Sequence, residues 1–309
     1  MPPWGCGFGV CVDNPDNKRM SRIRWWLALP GVLLMVVGLV LAHRDATAAR
    51  SAALRVPPPA AGVLPSVTEL PDLADPSDLA DQATSRRVGV ADGPVSLRYT
   101  FDGGIHQPIT DVSGEHELRP LGQNGGALRL VPQGVGLAVA YPDRCTLERE
   151  SDCPRAILEG LRDDSLNPGT RPMEYGASVL MTRGDVADGA NVLQKGYSVG
   201  GVSQYKLQVD HRLGHPSCVL VGRLGGIYRA EPWLSVADGR WHDLKCVRVG
   251  DRLTLHVDGA ERAWVRVPPR LSIANAEPLR VGGKGPARGN DQFAGEIDNV
   301  FISIGGVDG

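Results

Sequence analysis

The chain has 309 residues, a formal net charge of −2 and 42% hydrophobic residues. That length suits one large β domain or two smaller domains, and the hydrophobic share is enough for a real core. The near-neutral balance removes any long-range electrostatic reason to expect nucleic acid or acidic lipid as a partner.

Residues 1–48 read as a targeting segment. Lys18, Arg19, Arg22 and Arg24 form a basic cluster, Trp25–Ala42 is uncharged and apolar, and Ala46-Thr47-Ala48 supplies a small-x-small cleavage pattern. Basic, apolar, small is the order of a secretory signal. As one hydrophobic helix the apolar run would span about 27 Å, against a hydrocarbon core of about 30 Å. Cleavage near Ala48 and retention as a signal anchor therefore both stay open. In either case the positive flank keeps the N-terminal end inside and exports the rest of the chain.

Residues 49–94 read as a disordered linker. Pro57-Pro58-Pro59, Pro65, Pro71 and Pro76 punctuate it, and Asp-Leu-Ala-Asp occurs twice, at 72–75 and 78–81. Large apolar side chains are too sparse to offset the entropy of ordering. A tether is the simplest reading; a short partner-binding helix over Leu70–Gln82 is the other.

From Val95 to Gly306 short strand patterns succeed one another, among them Leu137–Tyr141, Tyr175–Met181, Tyr205–Val209 and Cys218–Val221, with no amphipathic helix of ten or more residues. Asp238–Arg266 is the clearest stretch: alternating runs flank Gly250-Asp251, and Asp258-Gly259 opens a further hairpin. Period-2 alternation broken by such pairs signals consecutive antiparallel strands. Trp241, Leu244, Cys246, Val247, Leu253, Leu255 and Val257 are assigned to the inner face; His242, Lys245, Arg248, Thr254 and His256 to the outer. A one-sided apolar sheet needs a second sheet to cover it, so the expected fold is an all-β, two-sheet antiparallel sandwich.

Four cysteines lie in this region, Cys145, Cys153, Cys218 and Cys246. An even count in an exported chain argues for disulfides. Of three possible pairings we expect Cys145–Cys153, a clip around a polar loop, and Cys218–Cys246, joining two strand-like runs. His211, His215 and Cys218 lack zinc-site spacing, since Gly214 and Pro216 place them in a turn.

Asp238-Gly239-Arg240-Trp241-His242 followed by Leu253–Gly259 resembles the DGxWH…LxLYVDG core of laminin G-like domains, which belong to the concanavalin A-like lectin/glucanase jelly rolls. Tyr99–Asp102 resembles their first strand, Asp111–Gly114 and Gly125–Leu128 the loop and second strand, and Phe293–Val300 the closing FxGxIDxV strand. The resemblance spans 95–306 and implies a jelly roll, but not a ligand, because the fold hosts lectins, hydrolases and protein-binding modules. It also implies that the first and last strands pair. That would bring Asp102 and Asp298 together as ligands of a structural calcium, with Asp111 as a third oxygen source. In the competing reading Asp102 caps a turn and Asp298 bonds neighbouring amides or an arginine.

Glu296-Ile297-Asp298-Asn299-Val300-Phe301 is similar to the E-I-D-x-x-E strand of jelly-roll glucanases. A retaining mechanism needs two carboxyls about 5–5.5 Å apart, and Phe301 stands where the second glutamate belongs. No serine has a nucleophile-elbow context, and Gly282–Gly285 leads into no helix that would cradle phosphate. No catalytic residue is therefore expected. Trp233, between Pro232 and Leu234, is the candidate ligand-binding residue, either a platform for a sugar ring or a plug in the sandwich end. The expected function is a non-catalytic module that binds an extracellular glycan or protein. It would be secreted, or membrane-anchored only through an uncleaved N-terminal segment. A glycoside hydrolase and a structural cell-envelope module are the alternatives.

Overall fold

The computed structural model describes residues 88–306 apart from 91, 106–107 and 211–212. The targeting segment and all but the last few linker residues lie outside the described residues. The alternating runs form strands β1 (Val95–Tyr99), β2 (Ile109–Thr110), β3 (Glu117–Gln123), β4 (Arg129–Gln133), β5 (Gly136–Ala140), β6 (Arg155–Gly160), β7 (Met173–Leu180) and β8 (Ala190–Gly196). They continue as β9 (Gln204–Asp210), β10 (His215–Gly222), β11 (Gly225–Ala230), β12 (Trp241–Val249), β13 (Arg252–Val257), β14 (Ala260–Arg266), β15 (Leu279–Val281) and β16 (Glu296–Ile304). One sheet runs β14-β13-β12-β7-β16-β5-β4, with β1 also pairing β16; the other runs β11-β10-β9-β8-β15-β6-β3-β2. All pairings are antiparallel, and Leu97, Tyr175, Val179, Leu193, Leu207, Leu255 and Ile302 fill the space between the layers. This is the two-sheet antiparallel sandwich expected from the alternation, in the jelly-roll form that the resemblance implies. Among the described residues no helix is long and apolar enough to cross a membrane.

Both expected disulfides are present. Cys145–Cys153 closes a surface loop, and Cys218–Cys246 joins β10 of one sheet to β12 of the other through the core. Asp258 and Gly259 both have positive φ (53° and 76°), the backbone of the tight hairpin turn that an Asp-Gly pair favours.

Three expectations need correction. Strict alternation along β12 puts Leu244, Cys246 and Arg248 inside, so Arg248 is fully buried while Val247 is only half-buried. Trp241, expected in the core, is likewise half-buried at the strand's first position. The first strand is Val95–Tyr99 rather than one running on to Asp102, because Phe101 turns the chain with φ of 59°. Strands β2, β3 and β11 are additions to the expected set. Pro120 sits in β3 beyond the two residues that β2 pairs, so its missing N–H faces a free edge.

The registers give the sandwich two distinct ends. Glu296 pairs with Leu180 and Ala140, and Trp241 also pairs with Leu180. The β5–β6, β7–β8, β11–β12 and β15–β16 connections thus meet at one end, tied by Gly239 N–H to Met181 O and Tyr141 N–H to Gly295 O. Val95 pairs with Ile304, and Ile304 with Met173. The chain therefore enters at the opposite end, about 30 Å away by the length of β16.

Candidate functional site

The motif that carries the family resemblance is explained by packing at the loop end. His242 lies between two turn carboxylates, with Nδ1 2.8 Å from Asp258 and Nε2 3.1 Å from Asp238. Asp258 also accepts the Asp243 N–H at 2.9 Å. One imidazole thereby joins the β11–β12 loop to the β13–β14 turn. Partial burial pulls the His242 pKa down, but its bonds to Asp258 and Asp238 outweigh burial and leave it raised. This histidine is a structural brace rather than a base.

Trp233 stands in the β11–β12 loop at 90% exposure. It is a projecting ring, not a plug. His215, buried at the start of β10, meets it edge-on with ring centroids 5.0 Å apart and planes at 81°. Behind them a polar chain runs along the sheet edge. Glu231 lies 3.7 Å from His215 Nδ1, and Arg229 Nη1 reaches both Glu231 (3.3 Å) and Asp210 (2.9 Å). The indole is thus fixed at its base and open on its face.

At the same end is a cleft of about 700 Å³, lined by the β5–β6, β7–β8 and β15–β16 loops. One wall is the Cys145–Cys153 clip. Glu150 within the clip accepts the Gly289 N–H at 2.7 Å and Arg288 Nε at 3.1 Å, which locks the clip to the β15–β16 loop. Buried Arg155 donates to the carbonyls of Cys153 and Glu150. Asp291 is paired with Lys284 at 2.6 Å and Lys206 at 3.6 Å. Burial pushes the Lys206 ammonium down to about 8. Sequence reasoning found Trp233 from its prolyl loop. It did not find the cleft, whose lining residues are far apart in the chain and form no local motif.

Asp102 Oδ1 accepts the Leu137 N–H at 2.9 Å, and a Cβ at Gly136 would displace that carboxylate. Asp298 accepts from Asn299 N and Nδ2 at 2.6 and 2.9 Å. Its burial, with repulsion from Asp102 and Asp243, raises its pKa. The two carboxylates are thus near enough to repel. Asp111, however, is committed elsewhere, accepting from Ser113 and from the amides of Glu115 and His116. Among the described residues no group of three or more His, Cys, Asp or Glu side chains is placed to hold a metal ion. Calcium takes six to eight oxygens, so this donor set as arranged does not fit it.

On β16, burial raises the pKa of half-buried Glu296. Phe301 packs where Gly176 leaves room, with the Arg98 guanidinium 5.7 Å from its ring centroid. The strand thus puts an aromatic ring where a second catalytic carboxylate would stand.

Strand order and loop end together are those of a two-sheet jelly-roll sandwich. A laminin G family model, described as concanavalin A-like lectin/glucanases superfamily, matches residues 178–303. Over those residues the sandwich is similar to laminin G-like domains. Among solved structures, the binding domain of Paraclostridial Mosquitocidal Protein 1 is similar with a TM-score of 0.51 at 12% identity, over 70% of this chain and 50% of that one. The chain thus spans half the length of that relative. Domain 4 of an extracellular arabinanase from Geobacillus stearothermophilus, in complex with arabinotriose, gives 0.49 at 13% identity, over 68% of this chain and 91% of that one. The mouse laminin alpha1 chain, domains LG4-5, gives 0.35 at 20%, over 46% and 38%. At 12% identity the likeness to the mosquitocidal protein's binding domain is one of fold. No curated protein matches the chain.

Proposed function

We propose that the chain is an exported, non-catalytic binding module that recognises a glycan through the loop end of its sandwich, with Trp233 as the stacking platform. The observation that carries this reading is a tryptophan at 90% exposure, braced edge-on by His215. A flat apolar ring with polar neighbours suits the apolar face of a sugar, and binding residues characteristically sit on loops held by a rigid scaffold. Val95, where the first strand begins, lies at the opposite end of the sandwich from these loops. The two disulfides accord with an oxidising, extracellular setting, and the binding domain of a mosquitocidal protein among the similar structures accords with a binding role. Phe301 in place of a second carboxylate argues against hydrolysis.

The test is binding of the purified full chain to an immobilised glycan array, compared with Trp233→Ala. The reading expects discrete glycan hits that weaken about tenfold or more in the variant. A protein partner captured with no glycan hits, or hits indifferent to Trp233, would overturn it.

A further inference from the structure

We propose that the cleft beside the Cys145–Cys153 clip is a second ligand site, separate from Trp233, and that it takes a carboxylate-bearing sugar. The inference rests on the glycan-binding reading and adds to it a place and a chemical class. At about 700 Å³ the cleft falls within the usual range of small-molecule sites. Its inner wall is already rigid. Gln292 donates to the carbonyls of Ala156, Gly282 and Phe293 and accepts the Ala156 N–H. Asn290 donates to Gly285 O and to Gln292, and the clip is bound covalently and through Glu150. A wall that does not reorganise leaves more of the contact energy for the ligand.

The chemistry depends on which lining groups are already satisfied. The lining carboxylates are Glu150, Asp185, Asp188 and Asp291. Glu150 pairs with Arg288 and faces Arg155, and Asp291 pairs with Lys284 and Lys206. Asp185 accepts from Thr182 N and Oγ1 at 2.7 and 2.8 Å. Arg144 and Arg183 line the mouth, exposed, with no hydrogen bond or ion pair among the described residues, as does Asp188. Arg155, Arg288, Lys284 and Lys206 over-compensate Glu150 and Asp291, so the charges of Asp185 and Asp188 still leave cations in excess, and the two open guanidinium forks can take an anion. A planar carboxylate matches the guanidinium fork in two parallel bonds. Asp188 and the polar lining then suit the hydroxyls of a sugar rather than an apolar body. No aromatic side chain lines the cleft, which separates its chemistry from that of the Trp233 platform.

The experiment is saturation-transfer NMR on the full chain with D-glucuronate, D-galacturonate and N-acetylneuraminate, with D-glucose and acetate as counterparts. The expected result is that at least one acid sugar binds about tenfold or more tighter than glucose and than acetate. This preference should vanish in the double variant R144Q/R183Q at unchanged Tm and persist in Trp233→Ala. Equal binding of glucose, or binding of acetate as tight as the acid sugars, would overturn the proposal. So would silence from every acid sugar, or a preference untouched by R144Q/R183Q. Acid-sugar binding lost only in Trp233→Ala would also overturn it while leaving the glycan-binding reading standing. The converse failure, a cleft-dependent signal with an array unaffected by Trp233→Ala, would remove the Trp233 platform and not the cleft.

Discussion

Breaking the Cys218–Cys246 bridge should cost more than breaking the Cys145–Cys153 clip, and the difference can be worked from the sequence separations. They are 28 and 8 residues. The loop-closure relation then gives about 3.6 kcal/mol for the first and about 2.5 kcal/mol for the second. Packing widens the gap. Cys218 and Cys246 are fully buried between the sheets, so truncation to alanine also leaves a small void worth about 1 kcal/mol. The clip lies on a surface loop with Cys145 only half-buried, so its truncation opens less of a void. Paired Cys→Ala variants, unfolded in urea and tracked by tryptophan fluorescence, are the assay. With m of about 2–3 kcal/mol/M, the core variant should lose roughly 1.5–2 M in midpoint and the clip variant about 1 M. A core variant that loses less than the clip variant, or under about 1 kcal/mol in all, would refute the view that this bridge staples the two layers.

Other expectations rest on individual side chains. Arg248 is fully buried, donates to Gly169 O at 3.2 Å, and has no protein partner for Nε or Nη2. Arg248→Met should therefore be neutral or stabilising by up to about 2 kcal/mol, and a loss above about 2 kcal/mol in a denaturant melt would contradict this. The raised His242 pKa makes its contribution to stability full below the unfolded value of 6.5, then lost as pH rises through the folded value. Tm of the parent should fall relative to His242→Gln over that window, and parallel pH profiles would contradict the bridging role. Because Asp102 and Asp298 do not fit calcium as arranged, Tm should be the same in millimolar calcium and in a chelator; a calcium-dependent rise, absent in Asp298→Asn, would show that the site assembles around the ion.

Much of the sandwich was legible because alternation and turn chemistry are local. Gly250-Asp251 and Asp258-Gly259 delimit β13 as read, and the four cysteines pair as expected. The errors arose where one local rule hid another. Val247 looked apolar and Arg248 charged, yet the pleat decides direction, so the arginine went inside. Pro120 and the glycines of β11 masked two strands that sheet edges tolerate. At the site, Trp233 could be nominated from its prolyl loop, though not its exposure. The cleft could not be read, since it exists only once loops spaced over more than a hundred residues meet.

The central claim is that binding occurs at the loop end and not at the end where the chain enters. Hydrogen exchange of the full chain, with and without the strongest glycan from the array, tests it most directly. The account predicts new protection in residues 181–189, 231–240 and 286–292, with the Gly250-Asp251 turn unchanged. Protection centred on that turn and on residues 161–172, with the loop end silent, would contradict it.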